Sequence, residues 1–245
     1  MDLTVLGASS RYLAPLGAGT SYLLRAGDAR VLLDCGNGTH LRLAHELGEE
    51  RLSAVLVSHF HLDNVADLLP VAFSLPAGAP LYVPRGALPR LADLLRGYSM
   101  DRSWIENARI VGVGRGSQHE VTGIRLDFAK AGHGCPGVAT RLEADGRSLV
   151  YLGDTGPRPW LADLARGADL VVAHTLLLDR DEGAARGTNM TAGDAGRLAR
   201  EAGARRLALS HVPFYRNADE SAAEAKEAFG GEVVVLREGQ RLAVD

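Results

Sequence analysis

Long apolar runs are missing from this 245-residue chain. None approaches the roughly 18 residues needed to cross a bilayer, and the N-terminal MDLTVLGASS has no basic stretch leading into an apolar one. No membrane span and no secretory leader are therefore expected. Cysteine is scarce too: Cys35 and Cys135 allow at most one disulfide. That excludes a disulfide scaffold and makes free thiols in a cytoplasm the simpler expectation. Lysine occurs only at Lys130 and Lys226, so 25 of the 27 basic residues are arginine, a skew that accompanies many alanines and glycines and reads as compositional bias. Acidic residues number 30, the formal net charge is -3, and no basic stripe is visible. A broad surface for nucleic acid has no support on that balance, whereas a local anion pocket is allowed. What is plentiful is apolar: 46% hydrophobic residues against 23% charged ones describe a chain that buries a core, and extended disorder is excluded.

Short β-rich runs between glycine turns predict strands over Thr4–Leu6, Thr20–Arg25, Arg30–Leu33 and Ala54–Ser58. Leucines three to four apart then predict amphipathic helices over Asn64–Phe73 and Ala87–Arg96. The outline repeats with strands over Ile124–Ala129, Val138–Glu143, Ser148–Leu152 and Leu170–Ala173, and a helix over Ala192–Ala202 for which Thr191 and Asp194 have capping-box spacing. A strand over Leu207–Ser210, a helix over Ala222–Phe229 and a closing hairpin within Glu232–Val244 complete the chain. Two halves of the same order, with no Pro- or Ser-rich linker between them, predict an α/β (α+β) chain. It is read as one domain, 1–245, with weak internal duplication, two sheets packed face to face and helices outside.

Two of the eight histidines fall in Ser58-His59-Phe60-His61-Leu62-Asp63-Asn64, directly after an apolar strand. Residues two apart in extended backbone point the same way, so both imidazoles can reach one cation, and Asp63 continues that alternation. Three further segments follow strand-like runs and place a metal-type ligand beside glycine or a small residue: His133 in Ala131-Gly132-His133-Gly134-Cys135, Asp154 in Gly153-Asp154-Thr155-Gly156, and His211 in Ser210-His211-Val212-Pro213. Together they read as one loop-built site. Imidazole and carboxylate donors suit zinc first, with iron or manganese as alternatives. Such an ion lowers the pKa of bound water to about 7 and polarises an electrophile, which is the chemistry of hydrolysis. His40, His45 and His119 lie outside these motifs and are assigned to surface or structure, Cys35 to packing in its glycine turn, and Cys135 to the pocket lining without a catalytic role.

Taken in order, Gly7-Ala8-Ser9-Ser10, Leu33-Asp34-Cys35-Gly36-Asn37-Gly38, the His59 motif, His133 with Arg141 downstream, Tyr151-Leu152-Gly153-Asp154-Thr155 and Ser210-His211 resemble the metallo-beta-lactamase superfamily, and within it the ribonuclease Z-like phosphodiesterase branch. The resemblance covers nearly the whole chain. It implies an αββα four-layer sandwich with the metal site at one edge. One metal would be held by His59, His61 and His133, a second by Asp63, the residue after it and His211, and Asp154 would bridge the two.

This chain departs from that pattern at three places. Asn64 stands where the family has histidine, and an amide oxygen is a much poorer zinc ligand than imidazole nitrogen, so the first site is complete and the second weakened. His174 stands where the branch has an acidic residue, and Asn189-Met190-Thr191 where it has a histidine before a threonine-capped helix. His174 is then a candidate general acid or a replacement ligand, against the plainer reading of a core-edge histidine bonded to backbone. The long inserted arm that binds transfer RNA in the family has no counterpart between Leu69 and His133, which disfavours nucleic acid and favours a small-molecule substrate; a homodimer is allowed.

Three functions compete. The first is hydrolysis of a small phosphodiester, with Asp63 orienting or deprotonating the attacking water. The second is single-metal hydrolysis or cyclisation of a thioester, lactone or lactam in a biosynthetic pathway, since one Lewis acid suffices for carbonyl attack. The third is a non-catalytic binding protein that keeps the fold. Against the third stands the cost of burying three histidines and an aspartate with no ion to satisfy them.

Overall fold

In the computed structural model, residues 1–10, 17–181, 183 and 187–245 are described. The first half runs β1 (Asp2–Gly7), β2 (Ser21–Ala26), β3 (Ala29–Leu33), α1 (Thr39–Leu47), β4 (Ala54–Leu56), α2 (Leu62–Val65), α3 (Leu68–Phe73), β5 (Pro80–Pro84), α4 (Leu88–Gly97) and β6 (Arg109–Val113). The second half runs β7 (Gln118–Val121), β8 (Ile124–Lys130), β9 (Val138–Ala144), β10 (Arg147–Tyr151), α5 (Pro159–Leu164), β11 (Leu170–Leu177), β12 (Met190–Thr191), α6 (Ala192–Ala202), β13 (Arg206–Ser210), α7 (Ala218–Phe229), β14 (Glu232–Val235) and β15 (Arg241–Ala243). One sheet has the order β15-β1-β2-β3-β4-β5-β6 and the other β14-β13-β11-β10-β9-β8-β7, with the short β12 beside β11.

Alternation along the strands decides the layers. Leu3 and Val5 of β1, Tyr22 and Leu24 of β2, and Leu149 and Tyr151 of β10 meet in a central cluster between the sheets. Their neighbours point the other way. Leu23, Leu32 and Val55 pack under Leu43 of α1, Leu68 of α3 and Leu91 of α4, while Val150, Val171 and Leu207 pack under Leu161 of α5, Leu198 of α6 and Phe229 of α7. Both faces of the central strands are therefore covered, as their nearly continuous apolar sequence requires. The result is the expected αββα sandwich. Among the described residues no helix is long and apolar enough to cross a membrane.

Two expectations change. The single helix foreseen over Asn64–Phe73 is broken into α2 and α3, because Asp67 is tied sideways: its backbone N–H donates to the Cys35 carbonyl at 2.9 Å and its carboxylate accepts the His40 N–H at 2.9 Å. The closing hairpin is not formed. Strand β14 joins one sheet, parallel to β13, and β15 joins the other, antiparallel to β1, so residues 236–240 carry the chain from sheet to sheet. The capping box on α6 is present, with the Thr191 hydroxyl accepting the Asp194 N–H and Asp194 accepting the Thr191 N–H.

Helices α6 and α7 approach closely at Gly196, where an added Cβ would lie 2.4 Å from the Ala225 carbonyl oxygen and 2.7 Å from the Ala228 Cβ. Gly196→Ala gains about 1 kcal/mol of helix propensity but overpacks a backbone contact, which costs about 1–3 kcal/mol. The net expected result is a lower urea midpoint with an unchanged slope; a raised midpoint would show that the helices separate freely there.

Candidate metal centre

The clustered residues sit just past the C-terminal ends of strands, except His174, which lies within one. His59 and His61 follow β4, His133 follows β8, Asp154 follows β10, His174 lies in β11 and His211 follows β13. His59 is held by a bridge to Gly137, and His61 keeps extended backbone at φ -87, ψ 151, so the two rings share a side as their spacing predicts. Asp63 does not continue that alternation. It is already in the helical turn α2, and it reaches the site because the Thr20 N–H holds its carbonyl at 3.0 Å. Gly153, at φ +59, lets the chain turn beneath Asp154 where a Cβ would press on Ser58 at 2.9 Å. His211 adopts φ 64, a left-handed conformation uncommon outside glycine.

Three imidazole nitrogens converge. His59 Nε2 lies 3.1 Å from His61 Nδ1, and His133 Nε2 lies 3.2 Å from the same atom. One ligand atom from each of His59, His61, His133 and Asp154 falls within 4.8 Å of the others.

Outer hydrogen bonds set the tautomers, because a ring N–H donated to one side leaves a lone pair on the other. His59 Nδ1 contacts Ser58 Oγ at 3.0 Å, whose hydroxyl donates to Asp34 at 2.6 Å, so His59 must donate to Ser58 and present Nε2 bare. His133 Nδ1 donates to the Thr188 carbonyl at 2.7 Å, again leaving Nε2 free. His211 Nδ1 contacts Thr20 Oγ1 at 3.1 Å, and that hydroxyl donates to the Ser9 carbonyl at 3.3 Å, so Nε2 of His211 faces Asp63 at 3.4 Å. Burial holds His59 neutral, its pKa pushed down to about 3. Burial likewise lowers His61, with the neighbouring His133 adding to the effect.

Asp154 lies between two groups. Its Oδ2 is 3.7 Å from His59 Nε2 and 3.8 Å from His133 Nε2, while Oδ1 is 2.8 Å from His174 Nδ1 and 3.9 Å from His211 Nε2. Burial alone would raise its pKa, yet His211, His174 and His59 around it outweigh that and hold the carboxyl well below the usual range. Asp154, His174 and His211 form a second close group. His174 is buried, its ring stacked on His211 at 4.7 Å and 12°, and its Nε2 lies 3.3 Å from both the Tyr22 and the Tyr151 hydroxyls.

The donor set fits a divalent cation. Nitrogens about 2.0–2.1 Å from a tetrahedral zinc stand about 3.3–3.4 Å apart, close to the separations found, and bare lone pairs facing one another are otherwise unfavourable. Beside them Asn64 Nδ2 is 3.4 Å from His59 Nε2, and its buried Oδ1 has no hydrogen-bond partner among the described residues.

The supporting shell of Ser58, Asp34, Tyr151 and Thr20 adds residues that the sequence does not mark as functional. Their motifs were visible, but their roles depend on partners far along the chain. Thr188 acts through its carbonyl and leaves no sequence signal. The Asn189 segment, which lacks the family histidine, thus contributes to His133 through its backbone neighbour. Arg141 points elsewhere, bonding Glu143 and the Leu164 and Arg166 carbonyls, and His119 packs on Tyr82 and Phe128. Cys35 is buried, and Cys135 lines a cleft with His133.

Imidazoles and a carboxylate converging at the strand ends of two stacked sheets are the build of a metal-dependent hydrolase. A family model described as the Beta-lactamase superfamily domain matches residues 29–212, and the chain belongs to that superfamily, in its metallo-hydrolase and ribonuclease Z-like branch. It is 29% identical to the probable metallo-hydrolase YhfI of Bacillus subtilis over 98% of both chains. The crystal structure of that protein superposes with a TM-score of 0.86 at 26% identity, again over 98% of both chains. Ribonuclease Z of Mycobacterium bovis is 33% identical over 72% of this chain and 70% of its own length. The short form of human tRNase Z shares the fold, with a TM-score of 0.77, 18% identity and full coverage of both chains.

Ser58→Ala removes the acceptor that sets the His59 tautomer while leaving every convergent atom in place. Its zinc affinity, read by competition with a chromophoric chelator, is expected to fall about 10–100-fold. Unchanged affinity would show that Ser58 does not orient the ring.

Proposed function

We propose that this chain is a phosphodiesterase of a small substrate, with His59, His61, His133 and Asp154 holding one firmly bound cation, zinc first by donor type. The convergence of three imidazole nitrogens on one point supports this most directly, and relatives named ribonuclease Z favour a phosphodiester. When bound, a divalent cation supplies Lewis acidity there, making water a usable nucleophile near neutral pH and polarising the electrophile. Asp63 is the less buried carboxylate of the pair; it orients the attacking water and accepts its proton. His211 steadies Asp63 from 3.4 Å. His174 acts through Asp154: with one nitrogen on that carboxylate and the other among two tyrosine hydroxyls, it is placed to position Asp154 better than to protonate a leaving group.

Asn64 separates this reading from a second one. Asp63, Asp154 and His211, with His174 as the replacement donor, would hold a second ion weakly, and a phosphodiester gains more than a carbonyl from two ions. The amide at position 64 therefore favours single-metal attack on a thioester, lactone or lactam as the alternative.

Elemental mass spectrometry of protein purified without chelator is expected to give one tightly held ion per chain in the wild type and two in Asn64→His. Hydrolysis of bis(p-nitrophenyl) phosphate should be metal-dependent and fall to the metal-stripped level in His61→Ala and Asp154→Ala. Turnover of esters or thioesters with none on phosphodiesters would replace this reading with the second. Absence of bound metal together with absence of turnover would replace both with a binding role.

A further inference from the structure

Beside the metal centre opens a cleft of about 450 Å³, walled by Pro84 at the end of β5 and Arg85 and Gly86 after it, by Gly114 and Arg115 after β6, and by the segment that carries His133 and Cys135. Lys130, at the end of β8, completes it, and no acidic side chain lines it. Three cations thus share one concave surface on a chain whose net charge is -3.

Many arginines elsewhere are neutralised: Arg30 pairs with Glu50, Arg180 with Glu220, Arg197 with Asp179 and Arg241 with Glu46. The cations of the cleft have no such partner. Arg85 donates one guanidinium nitrogen to the Gly112 carbonyl at 3.3 Å, and among the described residues no carboxylate pairs with Arg85, Arg115 or Lys130. Like charges gathered in a concavity without counter-charge repel one another and raise the local concentration of anions. Guanidinium forks and an ammonium group are the donors that phosphate oxygens match best.

We propose that this cleft is a subsite for a terminal phosphate of the substrate, a group separate from the ester that is cleaved. The inference rests on the phosphodiesterase reading and narrows it to small phosphodiesters that carry a second phosphate. His133 belongs to both the metal cluster and the cleft wall, so one molecule spans them: its scissile ester sits by His59, His61 and His133, and its terminal phosphate by Arg85, Arg115 and Lys130. The cleft volume lies within the range of small-molecule sites and suits a phosphorylated sugar-sized group.

The test compares two probes that differ by one phosphate, thymidine 5′-phosphate and thymidine 3′,5′-bisphosphate, by titration calorimetry on the protein as purified. Wild type is expected to bind the bisphosphate at least about tenfold more tightly, an advantage that shrinks as salt rises. In the double variant Arg115→Ala, Lys130→Ala the advantage should fall below about threefold; both side chains are exposed, so the core is untouched. Equal binding of the two probes by the wild type, or an undiminished advantage in the double variant, overturns the subsite. The two readings fail separately. A bisphosphate preference without hydrolysis of any phosphodiester keeps the subsite and removes the phosphodiesterase, whereas hydrolysis without the preference does the reverse.

Discussion

The buried carboxylate of Asp154 is the constraint around which the site is arranged. An ionised group taken out of water must be compensated on every side it presents, and Asp154 is only 8% exposed. Four histidines from four strands surround it: His174 donates to it at 2.8 Å, while His59, His133 and His211 stand 3.7–3.9 Å away with bare Nε2 atoms that a cation held among them would complement. Topology makes this achievable: β10, β11 and β13 are parallel neighbours, with Val150 beside Val171 and His174 beside Ser210, so their C-terminal ends emerge side by side and deliver positions 154, 174 and 211 to one place. Strand β4 of the other sheet ends opposite them and adds His59 and His61. A site at the carboxyl ends of parallel strands is thus a consequence of pairing order before it is a matter of ligand chemistry.

A second buried acid ties the sheets together beneath that site. Asp34, after β3, accepts the Ser58 N–H and hydroxyl at 2.6 Å each and the hydroxyl of Tyr151 from the opposite sheet. Burial pushes its pKa up to about 6 against these hydrogen bonds. Tyr151 also reaches His174, so the chain of contacts runs from Asp34 through Ser58 to His59 on one side and through Tyr151 to His174 and Asp154 on the other. Both faces of the metal centre are oriented from one buried point, and the left-handed φ of 58 at Asp34 is held by the contacts that depend on it.

Local signals carried the parts of this arrangement that are local. The His59-x-His61 spacing, the capping box at Thr191 and the apolar runs of the central strands each act within a few residues, and each was legible. What was not legible depends on partners remote in sequence. The role of His174 is set by Asp154, 20 residues away, and Tyr22, 152 residues away. The two apolar runs after Glu232 look like hairpin arms because nothing within them reveals that β13 and β1 offer separate edges. Strands β5 and β6 carry little local signal for a related reason: prolines at both ends of Pro80–Pro84 and glycine in Arg109–Val113 weaken the strand pattern, whereas burial between neighbours decides it.

Charge shows the same divide between what a total reveals and what a place reveals. A formal charge of -3 argues against a broad anion-binding face, and that argument holds for the surface as a whole. Screening in physiological salt acts over about 8 Å, however, so a small substrate in a cleft responds to the charges that line it and scarcely to the sum over the molecule. Arg85, Arg115 and Lys130 come from three different strand ends, separated by 30 and 15 residues in the chain, and they form no basic run that a sequence scan would register. The sandwich assembles them as it assembles the metal ligands, by bringing strand termini to one edge, and a net-acidic chain can thereby present a cationic cleft beside the centre where an anionic ester would be cut.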